Sequence, residues 1–299
     1  MSEPFFNDAL REQYRLAVLA LQPTFFLHDL QVVGSSIVLK NEVASGGGGA
    51  WGTLFGGAWT DHYLTMAANF EHLASQEVID SPDWTAGDAG SGWLGGLNLS
   101  GITWAFWMRS SGVGNVSLFS HVNVGDTSRQ ILRLNADEEF ETLFSLANDT
   151  TWDAFDETDT PENTDLRWNR FTALPDIRDG NWHHVVVGNN TVNEAKLLVV
   201  DGVVVMDTAG AGNGLQGFSI PDENAEFGNG RTEHFGASYS DFFGDVASFA
   251  GIPAYLTADQ AIGLYEAATH TSGMGSASRI NSLRANALRT NSIRSANRV

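Results

Sequence analysis

The chain has 299 residues, 42% hydrophobic, 17% charged and 11% aromatic, which suits one large all-β domain or two average ones and excludes wholesale disorder. Thirty-six acids against 16 bases give a formal charge of −20, which argues against nucleic acid as a primary partner. The absence of cysteine removes disulfides, thiolate nucleophiles and cysteine-ligated metal centres.

Residues 7–21 predict the first element, an amphipathic helix. Asn7 can cap it, and Leu10, Tyr14, Ala17, Val18 and Leu21 recur on one face at helical spacing until Pro23 stops the run. From Thr24 onward short apolar runs alternate with glycine and polar clusters, and the 32 glycines exceed the usual share of ~7%. That pattern predicts a β-sandwich. Strands are expected at 24–30, 36–39, 102–109, 116–122, 130–135, 140–146, 182–189, 195–201, 203–206 and 243–251. Asp201-Gly202 between β-branched runs predicts a two-residue hairpin turn. Residues 257–268 predict a short helix capped by Thr257, with Ile262 and Tyr265 facing inward.

Two stretches stand apart by charge. Residues 149–165 carry seven acids and no base, whereas residues 271–299 carry five arginines and no acid, leaving −25 on the remainder. The basic stretch repeats every five residues. Arg279, Arg284, Arg289 and Arg294 open successive units, and Leu283, Leu288 and Ile293 close the first three. Five matches neither the helical nor the strand period. The expected organisation is a helix and lead-in at 1–23, a sandwich at 24–270 and a basic arm at 271–299.

Trp182-His183-His184-Val185, followed by Leu197-Leu198-Val199-Val200-Asp201-Gly202, resembles the laminin G-like members of the concanavalin A-like lectin/glucanase superfamily. Ile102-Thr103-Trp104-Ala105-Phe106-Trp107-Met108-Arg109 is similar to the family's early aromatic strand. Phe243-Gly244-Asp245-Val246 through Leu256-Thr257 to Leu264-Tyr265 is similar to its closing strand and helix. The start, Tyr14 to Leu19 and on through Pro23 to Phe26-Leu27, is similar to the lead-in of such domains in tailed-phage structural proteins. The resemblance covers residues 14–268 and implies an antiparallel jelly-roll β-sandwich. Alternation agrees: Trp104, Phe106 and Met108 share one face of their strand, Ala105 and Trp107 the other. A strand apolar on both faces is a central one, so its aromatics, like Trp182, are expected in the core.

The superfamily includes β-glucanases, in which Glu-x-Asp-x-x-Glu places two carboxylates on one strand face. Glu157-Thr158-Asp159-Thr160-Pro161-Glu162 matches that spacing, but proline and polar intervening residues fit a solvated loop better than a buried strand. No enzymatic activity is expected; the alternative is a glycan hydrolase using Glu157 and Glu162. His183 and His184 point to opposite faces of a strand and cannot share one metal, so one is expected buried and the other on the surface. No Gly-x-Ser-x-Gly elbow occurs, and Gly46-Gly47-Gly48-Gly49 lacks the Lys-Ser/Thr of a phosphate cradle. No cofactor is expected beyond calcium, which many laminin G-like domains bind. Asp153, Asp156 and Asp159 are its candidate ligands, the other reading being an acidic loop without an ion. Candidate glycan platforms are Trp51, Trp59, Trp84, Trp93 and Trp152, each of which could instead cover a sheet edge.

No apolar run reaches the ~20 residues that a membrane helix requires, and the first residues lack signal-peptide character. Together with the lack of a signal peptide, the resemblance to tailed-phage structural proteins implies a non-enzymatic structural or adhesion component of a tailed-virus particle, in the capsid or tail, assembled in the host cytoplasm. A free glycan-binding lectin is the third reading. Expected partners are other virion proteins, copies of the same chain and a host surface glycan, with no nucleic acid and no membrane. Arg279, Arg284, Arg289, Arg294 and Arg298 are the expected docking residues, able to bond carboxylates bidentately. The alternative for this arm is a disordered tail.

Overall fold

Local signals and observed elements coincide closely where the sequence pattern is strong. The structure, a computed structural model, describes residues 8–23, 25–33, 36–42, 57–59, 64–66, 101–111, 116–122, 129–134, 140–145, 166–171, 175–190, 195–208, 225–227, 240–241 and 244–270. Helix α1 (Asp8–Ala20) buries Leu10, Tyr14, Ala17 and Val18, the stripe its periodicity marks; Asn7 lies outside the described residues. Helix α2 (Ala258–Thr269) opens with a capping box, in which the Thr257 side chain accepts from Gln260 N and the Gln260 side chain accepts from Thr257 N. Its buried stripe is Ala261, Leu264, Ala267 and Ala268. Ile262 and Tyr265 flank this stripe, partly buried and packed against the same core, as expected.

The strands in chain order are β1 (Phe25–Val33), β2 (Ser36–Asn41), β3 (Gly57–Trp59), β4 (Leu64–Met66), β5 (Ile102–Arg109), β6 (Val116–Val122), β7 (Arg129–Leu134) and β8 (Phe140–Ser145). They continue with β9 (Leu166–Phe171), β10 (Trp182–Asn189), β11 (Lys196–Val200), β12 (Val203–Thr208), β13 (Ala225–Phe227), β14 (Ser240–Asp241) and β15 (Gly244–Ile252). The sequence reading misses β3, β4, β9, β13 and β14. Four of these have two or three residues, too short to show a period, and in β9 arginines and an asparagine interrupt the apolar positions.

A nine-stranded sheet runs β12-β11-β10-β5-β15-β1-β2, with β4 also on β15 and β3 on β4. A six-stranded sheet runs β13-β6-β7-β8-β9, with β14 parallel to β6. All other pairings among the described residues are antiparallel, and the fold is an all-β jelly-roll sandwich with helices α1 and α2 packed on it. As its two apolar faces require, β5 is central, between β10 and β15. One face of the larger sheet presents Ala105, Trp107, Val186, Leu197 and Val199 to Tyr14, Val18, Leu264 and Ala268 of the helices. On the opposite face Trp104 and Phe106 pack on Phe249, with ring centroids 5.7 and 5.1 Å apart, and β11 meets β9 of the second sheet. Each buried aromatic removes roughly 150–250 Å² from water. The larger sheet therefore has cover on both faces.

The β11–β12 turn follows the sequence expectation. Asp201 and Gly202 have φ of 50° and 76°, the paired positive values of a primed hairpin turn. A side chain at Gly202 would also stand 2.6 Å from a ring carbon of Tyr265.

Candidate functional site

An ion pair and a histidine held by two carboxylates lie near one end of the larger sheet. Register places Arg109, the last residue of β5, opposite Trp182 at the start of β10 and opposite Asp245 near the start of β15. The Nε–H of Arg109 donates to Asp245 Oδ2 at 2.6 Å. Its guanidinium lies 4.9 Å from the Trp182 ring centroid, a cation–π contact. Trp182 is 2% exposed, so it closes the core, as its position at the strand start implies.

Beside this stack, His183 is gripped from both sides. Its Nδ1 lies 2.8 Å from Asp201 Oδ2 and its Nε2 lies 3.0 Å from Asp179 Oδ1. Carboxylates only accept hydrogen bonds, so this arrangement is made for the doubly protonated imidazolium. Burial opposes the charge, but the bonds to Asp201 and Asp179 prevail and hold the ring's pKa above its ordinary value. Asp179 sits low, at about 2, chiefly through its hydrogen bond from the Asn181 side chain, with His183 adding to the effect. The other oxygen of Asp201 accepts from His184 N at 2.9 Å, and Asp201 N donates back to His184 O at 2.9 Å. One carboxylate therefore ties the hairpin turn to two successive residues of β10.

His184 points to the opposite face. Its Nε2 shares a 3.1 Å hydrogen bond with the Tyr14 hydroxyl, and its ring packs 5.0 Å from Trp107 and 6.0 Å from Tyr265. Burial pushes its pKa down to about 3 and that of Tyr14 up, so the pair is neutral. The two histidines do face opposite ways. However, His183 is 3% and His184 0% exposed, which corrects the expectation that one reaches the surface. Helices cover one face, and the Asp179 and Asp201 turns close over the other.

A further polar pair lies beneath α1. Ser248 Oγ is 2.6 Å from His28 Nδ1, and Arg11 donates to His28 O at 3.0 Å. Ser248 adopts φ 53° within the β-bulge of β15, a left-handed conformation uncommon for serine. A hydroxyl beside an imidazole has the spacing of a nucleophile and its base. At 4% and 5% exposure, with Phe26 stacked on His28 at 4.9 Å, the pair is packed as core.

Sequence reasoning misses the Tyr14–His184, His28–Ser248 and Arg109–Asp245 contacts, whose partners stand 170, 220 and 136 residues apart. The Asp179 contact was accessible locally. Asp-Gly-Asn forms a turn in which Asn181 N donates to Asp179 Oδ1 at 2.7 Å, four residues before the histidine. Asp153, Asp156, Asp159, Glu157, Glu162, Trp51, Trp84, Trp93, Trp152, Arg279, Arg284, Arg289, Arg294 and Arg298 lie outside the described residues. Of Trp59 only the backbone is described, paired with Leu64. Among the described residues, no group of three metal-ligating side chains assembles, and no helix is long and apolar enough to cross a membrane.

No protein-family model and no curated protein matches the chain. Solved structures do. The receptor-binding domain of botulinum neurotoxin D superposes with a TM-score of 0.52 at 10% identity, over 83% of this chain and 53% of that one. The serotype D ligand-binding domain in complex with N-acetylneuraminic acid gives 0.51 at 9% identity, over 84% and 52%. The chain spans about half the length of these neighbours. What it shares with them is the fold.

Proposed function

We propose that this protein is a non-enzymatic, glycan-recognising adhesion module carried on a tailed-virus particle. The observation that carries the reading is the jelly-roll sandwich itself, similar over 84% of the chain to a domain solved with N-acetylneuraminic acid. The chemistry of the described charged cluster supports it. Both ring nitrogens of His183 face carboxylates, and Asp245 is bonded to Arg109. This cluster braces strand ends and offers no open acid–base pair for hydrolysis. Recognition is then assigned to Trp51, Trp59, Trp84, Trp93 and Trp152, with Asp153, Asp156 and Asp159 as calcium ligands. The virion assignment rests on the similarity of Tyr14–Leu27 to phage-protein lead-ins.

The test is a glycan panel that includes sialylated sugars, probed with the full chain, its Trp→Ala variants, and calcium or a chelator. Saturable binding weakened in at least one Trp variant is expected. Turnover of a β-glucan that disappears in Glu157→Gln would replace this reading with the hydrolase one. Proteomics of purified particles tests the virion role: the protein should co-purify with them, and its confinement to the soluble lysate would refute that role.

A further inference from the structure

Strand β12 ends the larger sheet. It pairs with β11 on one side, and among the described residues no strand pairs with its other side. Exposed edges of this kind are usually blunted with lysine, proline or a covering loop. Here Val203 is 65% and Val204 40% exposed, two of the three exposed large hydrophobic side chains among the described residues. Strand β12 contains neither lysine, arginine nor proline, and its one charge is Asp207. Among the described residues, a bulge at Leu198/Val199 is its protective device. Its start is held rigidly, because Asp201 is bonded to His183 and to the His184 backbone and Gly202 lies under Tyr265. An edge that is rigid, apolar and unpaired among the described residues is prepared to accept another strand.

Charge and chain length name the occupant. Residues 271–299 follow α2, which itself packs on β11 and β12. They contain five arginines, no acid and no proline, while the remainder of the chain carries −25. The first three five-residue units each join an arginine to Leu283, Leu288 or Ile293, so a single unit brings an apolar side chain for Val203 or Val204 and a guanidinium for Asp207, whose carboxylate already faces Tyr255. At ~3.3 Å per residue, six-residue β12 holds about one unit, leaving the others to reach further copies. We propose that β12 is the docking edge for the 279–298 segment of a neighbouring copy, which adds to the sheet as an extra strand. This rests on the reading of the basic stretch as a docking arm and gives that arm its receptor.

The test compares three forms of the full chain by light scattering and by hydrogen exchange at residues 203–208. They are the wild type, the edge variants Val203→Lys and Val204→Lys, and a variant with Arg279, Arg284, Arg289 and Arg294 changed to Ser. Wild type should assemble in a salt-sensitive way, with the outward amides of β12 exchanging at least tenfold slower than in the arginine variant. Both kinds of variant should associate at least tenfold more weakly. If the arginine variant dissociates while β12 exchanges equally fast in assembled and dissociated protein, the arm docks elsewhere and the edge proposal falls alone. If the arginine variant assembles as wild type does, or wild type stays monomeric, the arm reading falls and takes this proposal with it.

Discussion

Tyr14 and His184 meet across 170 residues through a 3.1 Å hydrogen bond that joins the first helix to the centre of the larger sheet. Both side chains are fully buried. Tyr14→Phe keeps the ring and removes the hydroxyl, leaving the imidazole nitrogen without that partner in an apolar setting. The expected loss is about 1–3 kcal/mol, measured by urea unfolding, and a variant as stable as wild type would show that the bond contributes nothing net.

The adjacent histidines give stability opposite pH dependences. His183 has a raised pKa in the folded protein, so its contribution is fully present below the unfolded value of ~6.5 and is lost as pH rises through the folded value. His184 is held down to about 3. Its contribution is present above ~6.5 and is lost as pH falls toward 3, because the unfolded chain takes up a proton that the folded one refuses. Unfolding measured from pH 4 to 9 should lose its alkaline decline in His183→Gln, and ring-proton NMR should find His183 charged at pH 6.5. A His183 that titrates below its ordinary value would contradict the clasp.

Trp107 is 3% exposed and packs against His184 and Tyr265, with centroids 5.0 and 6.1 Å away. Trp107→Ala should cost about 3–5 kcal/mol, as expected for truncating a buried aromatic. A melting temperature within a degree or two of wild type would place this ring outside the core.

Gly202→Ala should destabilise for two reasons that a double-mutant cycle separates. The backbone at φ 76° disfavours any side chain, costing on the order of 1 kcal/mol, and the new Cβ would stand 2.6 Å from Tyr265. Combining it with Tyr265→Ala should recover the steric part and leave the backbone part. Strict additivity would mean that the ring moves aside freely.

Several elements were legible because their causes are contiguous. The stripe from Leu10 to Val18, the alternation from Ile102 to Arg109, the Asp201-Gly202 turn and the Thr257–Gln260 cap each depend on residues within a few positions of one another. The surroundings of His183 and His184 were not legible. Alternation sets the face on which a side chain lies, but burial depends on what covers that face. Here the cover comes from α1 and α2 for one histidine and from the Asp179 and Asp201 turns for the other. The fully buried stripe of α2, Ala261, Leu264, Ala267 and Ala268, was not legible for a similar reason, since it depends on the packing of α2 against α1 and β11.

The sequence by itself determined an all-β chain of short strands bracketed by two helices, with five arginines and no acid after residue 270. The tertiary structure alone decided that β5 lies between β10 and β15, which neutral and charged pairs form across 136–220 residues, and that β12 ends the larger sheet among the described residues. Local patterns fix a strand's faces through backbone geometry. Which strand becomes its neighbour, and which strand is left without one, is settled by packing among segments that no short window of sequence contains.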